Sequence, residues 1–124
     1  MELKFYYCED CDNLVILLKD SGVPMMCCGQ PMIELSPVSF GASPKKHLPV
    51  CRREGNRVAV TVGSEPHQSE REHFIEWIVL KSGRSFQRVD FSPGQPPEAV
   101  FLLSEGEEPE AVYAYCNQHG LWKG

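Results

Sequence analysis

The sequence predicts an all-β chain: a small N-terminal unit held together by a metal, followed by a β-sandwich. Three observations lead there. Short runs rich in β-branched and aromatic residues recur along the chain, separated by glycine and proline clusters. No stretch carries a convincing helical period of apolar residues. Four of the six cysteines, Cys8, Cys11, Cys27 and Cys28, crowd into the first quarter of a 124-residue chain.

The N-terminal unit is assigned to residues 1–36. It reads Leu3–Tyr7, then Cys8-Glu-Asp-Cys11, then Leu14–Leu18, a turn at Asp20-Ser21-Gly22, and Cys27-Cys28-Gly29. These are two or three short strands joined by tight turns. So short a segment cannot bury enough surface to be stable alone, and a bound metal would supply what the core lacks. Residues 36–46, with two prolines, a glycine and three serines, read as a linker on which Val38 and Phe40 are candidates to dock. The second unit spans 37–124. Arg57–Val62 alternates, with Val58, Val60 and Val62 on one face. A strand is expected over His73–Leu80, and others over Ser85–Phe91, Ala99–Leu103 and Ala111–Tyr115. Several short strands at this spacing favour a sandwich. Ser104–Glu110, with four glutamates, reads as a solvated acidic loop.

Composition narrows the function. A net charge of -5 argues against a general nucleic-acid binder, which would normally be basic. No apolar run approaches the length needed to span a bilayer, so no membrane partner is expected. The start, MELKFYYCED, lacks a basic segment followed by an apolar one, so a cytoplasmic location is expected. In a reducing compartment, cysteines are more often metal ligands or reactive groups than disulfides.

Cys8-x-x-Cys11 is a metal knuckle, because two intervening residues let both sulfurs converge on one ion. Cys27 and Cys28 are adjacent, and neighbours in an extended strand point to opposite faces. For both to reach the same ion the backbone must turn, and Gly29 tolerates the positive φ such a turn needs. Four thiolates suit zinc or iron, and spacing does not choose between them. All four histidines, His47, His67, His73 and His119, fall in the second unit. His119 follows Cys116 by three residues, a spacing that places a thiolate and an imidazole on one ion across a turn. Spacing alone supports a site built on Cys116, His119 and one or two others. It does not yield a five-ligand site.

The residues also resemble a known family. C-x-x-C, fifteen residues, then C-C-G-x-P-M is similar to desulforedoxin and to the N-terminal domain of the desulfoferrodoxins. KHLPV, VGSEPH, HFIEWI, PPEAVF and AYCNQHGLWK resemble, in order, the iron domain of the superoxide reductases. The resemblance covers almost the whole chain. It implies a desulforedoxin-like domain followed by an immunoglobulin-like sandwich, and two non-haem iron ions per chain, with zinc an alternative in the first site. Carried over by position, Cys8, Cys11, Cys27 and Cys28 would bind the first metal. His47, His67, His73 and His119 would surround the second iron, with Cys116 as its axial thiolate. Cys51 is left over and reads as a structural strand residue.

The implied activity is superoxide reduction: one electron and two protons convert superoxide to hydrogen peroxide, with the electron drawn from an external donor, typically a rubredoxin. A homodimer is expected by the same resemblance. Lys46, before His47, matches the family's lysine that attracts superoxide and assists protonation. Lys45 is a departure, since the family commonly carries glutamate there, a carboxylate that can reach the oxidised iron. A protonated lysine has no free lone pair and cannot replace it. Three other readings remain: a non-catalytic zinc protein whose sandwich binds a partner, a two-iron electron carrier, and dismutation of the same substrate, which needs no external donor.

Overall fold

The computed structural model describes residues 2–38, 44–64, 67 and 69–124. It divides into two compact units, the first ending at Ser36 and the second beginning at Pro37.

In the first unit, β1 (Lys4–Tyr7) is the middle strand of a three-stranded antiparallel sheet between β2 (Leu14–Leu17) and β5 (Ile33–Leu35). A separate two-residue-strand hairpin pairs β3 (Met26–Cys27) with β4 (Gln30–Pro31). Its connecting residues, Cys28 and Gly29, both have positive φ, 53° and 76°. That is the requirement of a type I′ turn, whose twist matches the strands it joins. Among residues 2–36, Leu3, Phe5 and Cys8 are the buried side chains.

Among the described residues, the second unit is a seven-stranded antiparallel sandwich. One sheet has the order β10-β7-β6, from β10 (Glu98–Leu102), β7 (Arg57–Val62) and β6 (Pro49–Glu54). The other has the order β12-β11-β8-β9, from β12 (Gly120–Lys123), β11 (Pro109–Cys116), β8 (Ile75–Ser82) and β9 (Ser85–Asp90). Val58, Val60 and Val62 face inward, as their alternation predicts, and meet Ala99 and Phe101 of their own sheet and Ile78, Leu80, Val112 and Ala114 of the other. Cys116 belongs to this core and is fully buried.

Three expectations change in detail and one is met in part. His73 does not open a strand: β8 starts at Ile75, and His73 pairs with Glu70 through an isolated bridge. Part of the supposed linker is one helical turn, α1 (Pro44–His47), too short for any period to show in the sequence. Val38 docks, bridging to Trp122 through bonds with Leu121 and Lys123; Phe40 lies outside the described residues. The acidic loop is not simply solvated. Glu107 accepts bonds from Ser82 and Ser85, Glu108 pairs with Arg53, and Glu110 with Lys81. β6 and β12 were not anticipated. β6 is an edge strand with Pro49 alone buried, so it lacks an alternating signature; Cys51 lies on it, exposed.

Candidate metal centres

In the first unit, two tight turns present four sulfurs to one point. The knuckle closes on itself through Asp12 N–H to Cys8 O (2.9 Å) and Cys8 N–H to Asn13 O (2.9 Å), with Asp12 at φ 65°. The Cys28-Gly29 turn faces it. The sulfurs of Cys8, Cys11, Cys27 and Cys28 lie within 4.8 Å of one another, and Cys11 and Cys27 approach to 3.4 Å. A left-handed backbone at a non-glycine residue costs about 1–2 kcal/mol, so Cys28 is held there against a local preference. Its thiol gains from that position a place in the cluster. Backbone N–H groups of Cys11, then of Asp10, pull the Cys8 thiol down to about 7. Hydrogen bonding to Cys11, then to Cys8 and Cys27, pushes Cys28 up to about 12. Four thiolates this close ionise together only with a cation between them.

The second centre draws on distant parts of the chain. His47 ends α1, His67 lies in the loop after β7, His73 precedes β8, Cys116 ends β11, and His119 sits in the turn before β12. Their donor atoms lie within 4.8 Å of one another. The four imidazoles form a closed cycle, with neighbouring ring centroids 4.8 Å apart for His47–His67, 4.8 Å for His67–His73, 5.0 Å for His73–His119 and 4.7 Å for His119–His47. His47 Nε2 is 3.1 Å from His67 Nε2 and 3.1 Å from His119 Nδ1. Cys116 Sγ lies 3.4 Å from His67 Nε2 and 3.7 Å from His119 Nδ1.

A β-bulge aims this arrangement. Tyr115 pairs with Trp77, but Cys116 pairs with Ile75, so Glu76 is an extra residue in β8. One inserted residue reverses which face the following side chains take. Ile75, rather than Glu76, therefore faces the core opposite Cys116, and His73, two residues earlier, stays on that side. Trp122 supports two members at once: its ring stacks on His47 (4.8 Å, 14°) and its Nε1–H donates to His119 O (3.2 Å).

The donors fit a metal. His73 Nε2 is buried with no hydrogen-bond partner among the described residues, a costly state for a polar atom unless it serves as a ligand. His47 Nε2 stands 3.1 Å from a donor atom on each neighbouring ring, close enough for one ion to be shared among them. Burial, then the proximity of His119 and Lys46, pushes His73 toward its neutral form, with Glu70 opposing. Burial pushes the Cys116 thiol up, partly offset by the N–H groups of Gln118 and His119. A cation would reverse that last effect by favouring the thiolate.

The desulfoferrodoxin family model matches residues 40–124. A desulfoferrodoxin from Syntrophotalea carbinolica is 41% identical over 121 residues, covering 98% of this chain and 94% of its own. The chain belongs to the desulfoferrodoxin family. A superoxide reductase from Pyrococcus horikoshii is 40% identical over 97 residues, covering 64% of this chain and 84% of its own. The crystal structure of the superoxide reductase from Treponema pallidum superposes with a TM-score of 0.82 at 29% identity, covering 99% of this chain and 97% of that one.

The structure brings the donor atoms of His47, His67, His73, Cys116 and His119 together, and separately those of Cys8, Cys11, Cys27 and Cys28. Lys45 and Lys46 lie on α1 beside His47 with exposed side chains. Sequence reasoning missed Trp122, Gly63 and Asn117, which touch or brace the histidine centre. Trp122 lies in the HGLW segment that resembles the superoxide reductases, but its stacking partner His47 is far away in sequence.

Proposed function

We propose that the chain reduces superoxide to hydrogen peroxide at the His47, His67, His73, His119 and Cys116 centre, using ferrous iron. The enzyme class is that of its relatives: an oxidoreductase acting on superoxide. The observation that carries the finer reading is the closed cycle of four imidazoles beside one buried cysteine, with the orphaned His73 Nε2 among them. When bound, iron supplies the single electron and a coordination position beyond the five protein donors.

The chain's own residues do the rest. The imidazoles act as neutral donors, and the partial burial of His73 favours that form. Cys116, wholly buried in the core, keeps water from its sulfur. Trp122 fixes the plane of His47 and the carbonyl of His119. Lys46 stands close enough to His73 to act on it electrostatically. Its ammonium draws an anionic substrate toward the centre despite the net charge of -5, and its Nζ–H groups are candidate proton donors to the product.

The reading includes further parts. The four cysteines of the first unit hold a second iron, with zinc as the chemical alternative. A rubredoxin-like protein supplies electrons from outside, and the enzyme works in the cytoplasm. A second copy of the chain covers apolar side chains that the first unit leaves exposed, among them Leu18, Val23 and Met26.

Metal analysis with visible spectra, before and after a mild oxidant, tests this. Near two irons per chain and a new ferric–thiolate band on oxidation are expected. Superoxide added to the reduced protein should then yield peroxide without the oxygen a dismutase releases. Zinc alone, with no uptake of iron at the second centre, would overturn the proposal in favour of a structural zinc protein.

A further inference from the structure

His73 is the donor with the weakest local support. It precedes β8 rather than lying within it, and its Nε2 is buried without a hydrogen-bond partner among the described residues. Something must hold it toward the other donors. Its own backbone is tied to Glu70, N–H to O at 3.1 Å and O to N–H at 3.0 Å. The two flanking residues are tied to a single side chain on the opposite segment. Phe74 N–H donates to Asn117 Oδ1 (3.0 Å), and Asn117 Nδ2 donates to Glu72 O (3.0 Å).

Asn117 lies between Cys116 and His119, at the point where β11 ends and its ladder to β8 stops. Its N–H still reaches Phe74 O at 3.3 Å. The carboxamide then acts as a substitute peptide, offering one acceptor and one donor where the turning backbone can no longer do so. Gln118 Nε2 adds a bond to Glu72 O (2.6 Å). The segment around His73 and the turn carrying Cys116 and His119 are therefore laced together by the Asn117 carboxamide, which spans both residues flanking His73, with the Asn117 N–H and the Gln118 amide beside it.

We infer that Asn117 is a positioning residue for the second metal, fixing the distance between His73 and the Cys116–His119 pair. It contacts no donor atom and acts through the backbone on either side of His73. Asn117 is itself exposed. Water can therefore take over its hydrogen bonds when it is truncated, and global stability changes little. The spacing of the donors, by contrast, has no substitute. The inference rests on the reading of this centre as a metal site.

The test compares the full-length parent, Asn117→Ala and Asn117→Asp, each loaded with iron. Affinity of the second site is measured by competition with a chelator, alongside the ferric–thiolate absorption, the ferric electron paramagnetic resonance signal and apo-protein thermal unfolding. Loss of an outer-shell partner commonly weakens metal binding about 10–100-fold. That loss is expected for Asn117→Ala, with a broadened ferric signal, unchanged four-cysteine iron and nearly unchanged apo unfolding. Asn117→Asp keeps the acceptor for Phe74 N–H but sets an oxygen against Glu72 O, so it should fall between.

Second-site affinity within twofold of the parent and an unmoved spectrum would overturn the inference. So would weakened binding that merely follows a comparable loss of apo stability. Should Asn117→Ala fail to fold, a folded Asn117→Asp decides by the same criteria. If neither variant folds, Asn117 is a folding determinant and the inference is wrong. If the parent takes up no second metal, the failure belongs to the functional reading instead.

Discussion

Gly63→Ala is the substitution whose consequence the structure defines most closely. Gly63 immediately follows β7 at φ 77°, where its N–H donates to Leu48 O (2.6 Å). A Cβ at this position would stand 2.5 Å from Lys45 O and 2.8 Å from both the carbonyl carbon and Cα of Lys46. These are backbone atoms of α1, and they cannot swing aside as a side-chain end would. Two costs follow. Positive φ at an alanine costs about 1–2 kcal/mol, and overpacking against fixed atoms about 1–3 kcal/mol more. Gly55→Ala isolates the first cost, since Gly55 has φ 63° with open space around its Cβ position. Denaturant unfolding of the apo forms should show Gly63→Ala to be the more destabilising by about 1–3 kcal/mol. Because the displaced atoms carry Lys46 and adjoin His47, second-site iron affinity should fall in Gly63→Ala and not in Gly55→Ala. Equal behaviour of the two variants in both assays would refute the claim that Gly63 makes room for the Lys45–Lys46 backbone.

Lys46→Ala should slow the second-order reaction with superoxide about tenfold at low salt and less at high salt, leaving iron content unchanged; stopped-flow rates across ionic strength measure this. Lys45→Glu restores a carboxylate beside His47, so the ferric absorption spectrum should shift and the reaction should lose part of its salt sensitivity. An unaltered spectrum and salt dependence would show that this side chain does not reach the centre's field. Cys116→Ser should abolish the ferric–thiolate band and most of the activity while the four-cysteine spectrum persists. Complete metal removal should erase amide-exchange protection in residues 4–35 while Val58–Val62 and Ile78–Leu80 keep theirs.

What was legible in the sequence depended on distance along the chain. Cys8-x-x-Cys11 and the Cys27-Cys28-Gly29 turn are local, so spacing and the glycine alone pointed to convergence. The inward face of β7 was equally plain, because Val58, Val60 and Val62 alternate without interruption. The histidine centre was different. His47 and His119 stand 72 residues apart, and their meeting follows from sandwich topology, which no local period encodes. The resemblance supplied that set of residues; spacing did not. The bulge at Glu76 was invisible for a related reason. It reverses the parity of β8 relative to β11, and parity is defined only once the partner strand is known. β6 was missed because an edge strand facing solvent needs no alternation, and α1 because one helical turn has no period.

The two centres therefore represent opposite ways of building a donor set. The first is assembled from tight turns with Asp12 and Cys28 in left-handed backbone, on a unit with three buried side chains among its described residues. Its thiols resist joint ionisation, and little packing opposes their separation, so metal binding and folding are coupled there. The second is placed by a packed core running from Val58 to Cys116, by a bulge, and by hydrogen bonds linking the Trp122 and Asn117 side chains to backbone beside the donors. Packing of that kind exists before any ion arrives. It can hold His73 Nε2 away from water at a cost that metal binding then offsets. A redox centre benefits from this order of events, because donors fixed by the protein move little when the metal changes charge. On the reading proposed above, supports such as Asn117 matter for the same reason: they would set donor spacing before a metal binds.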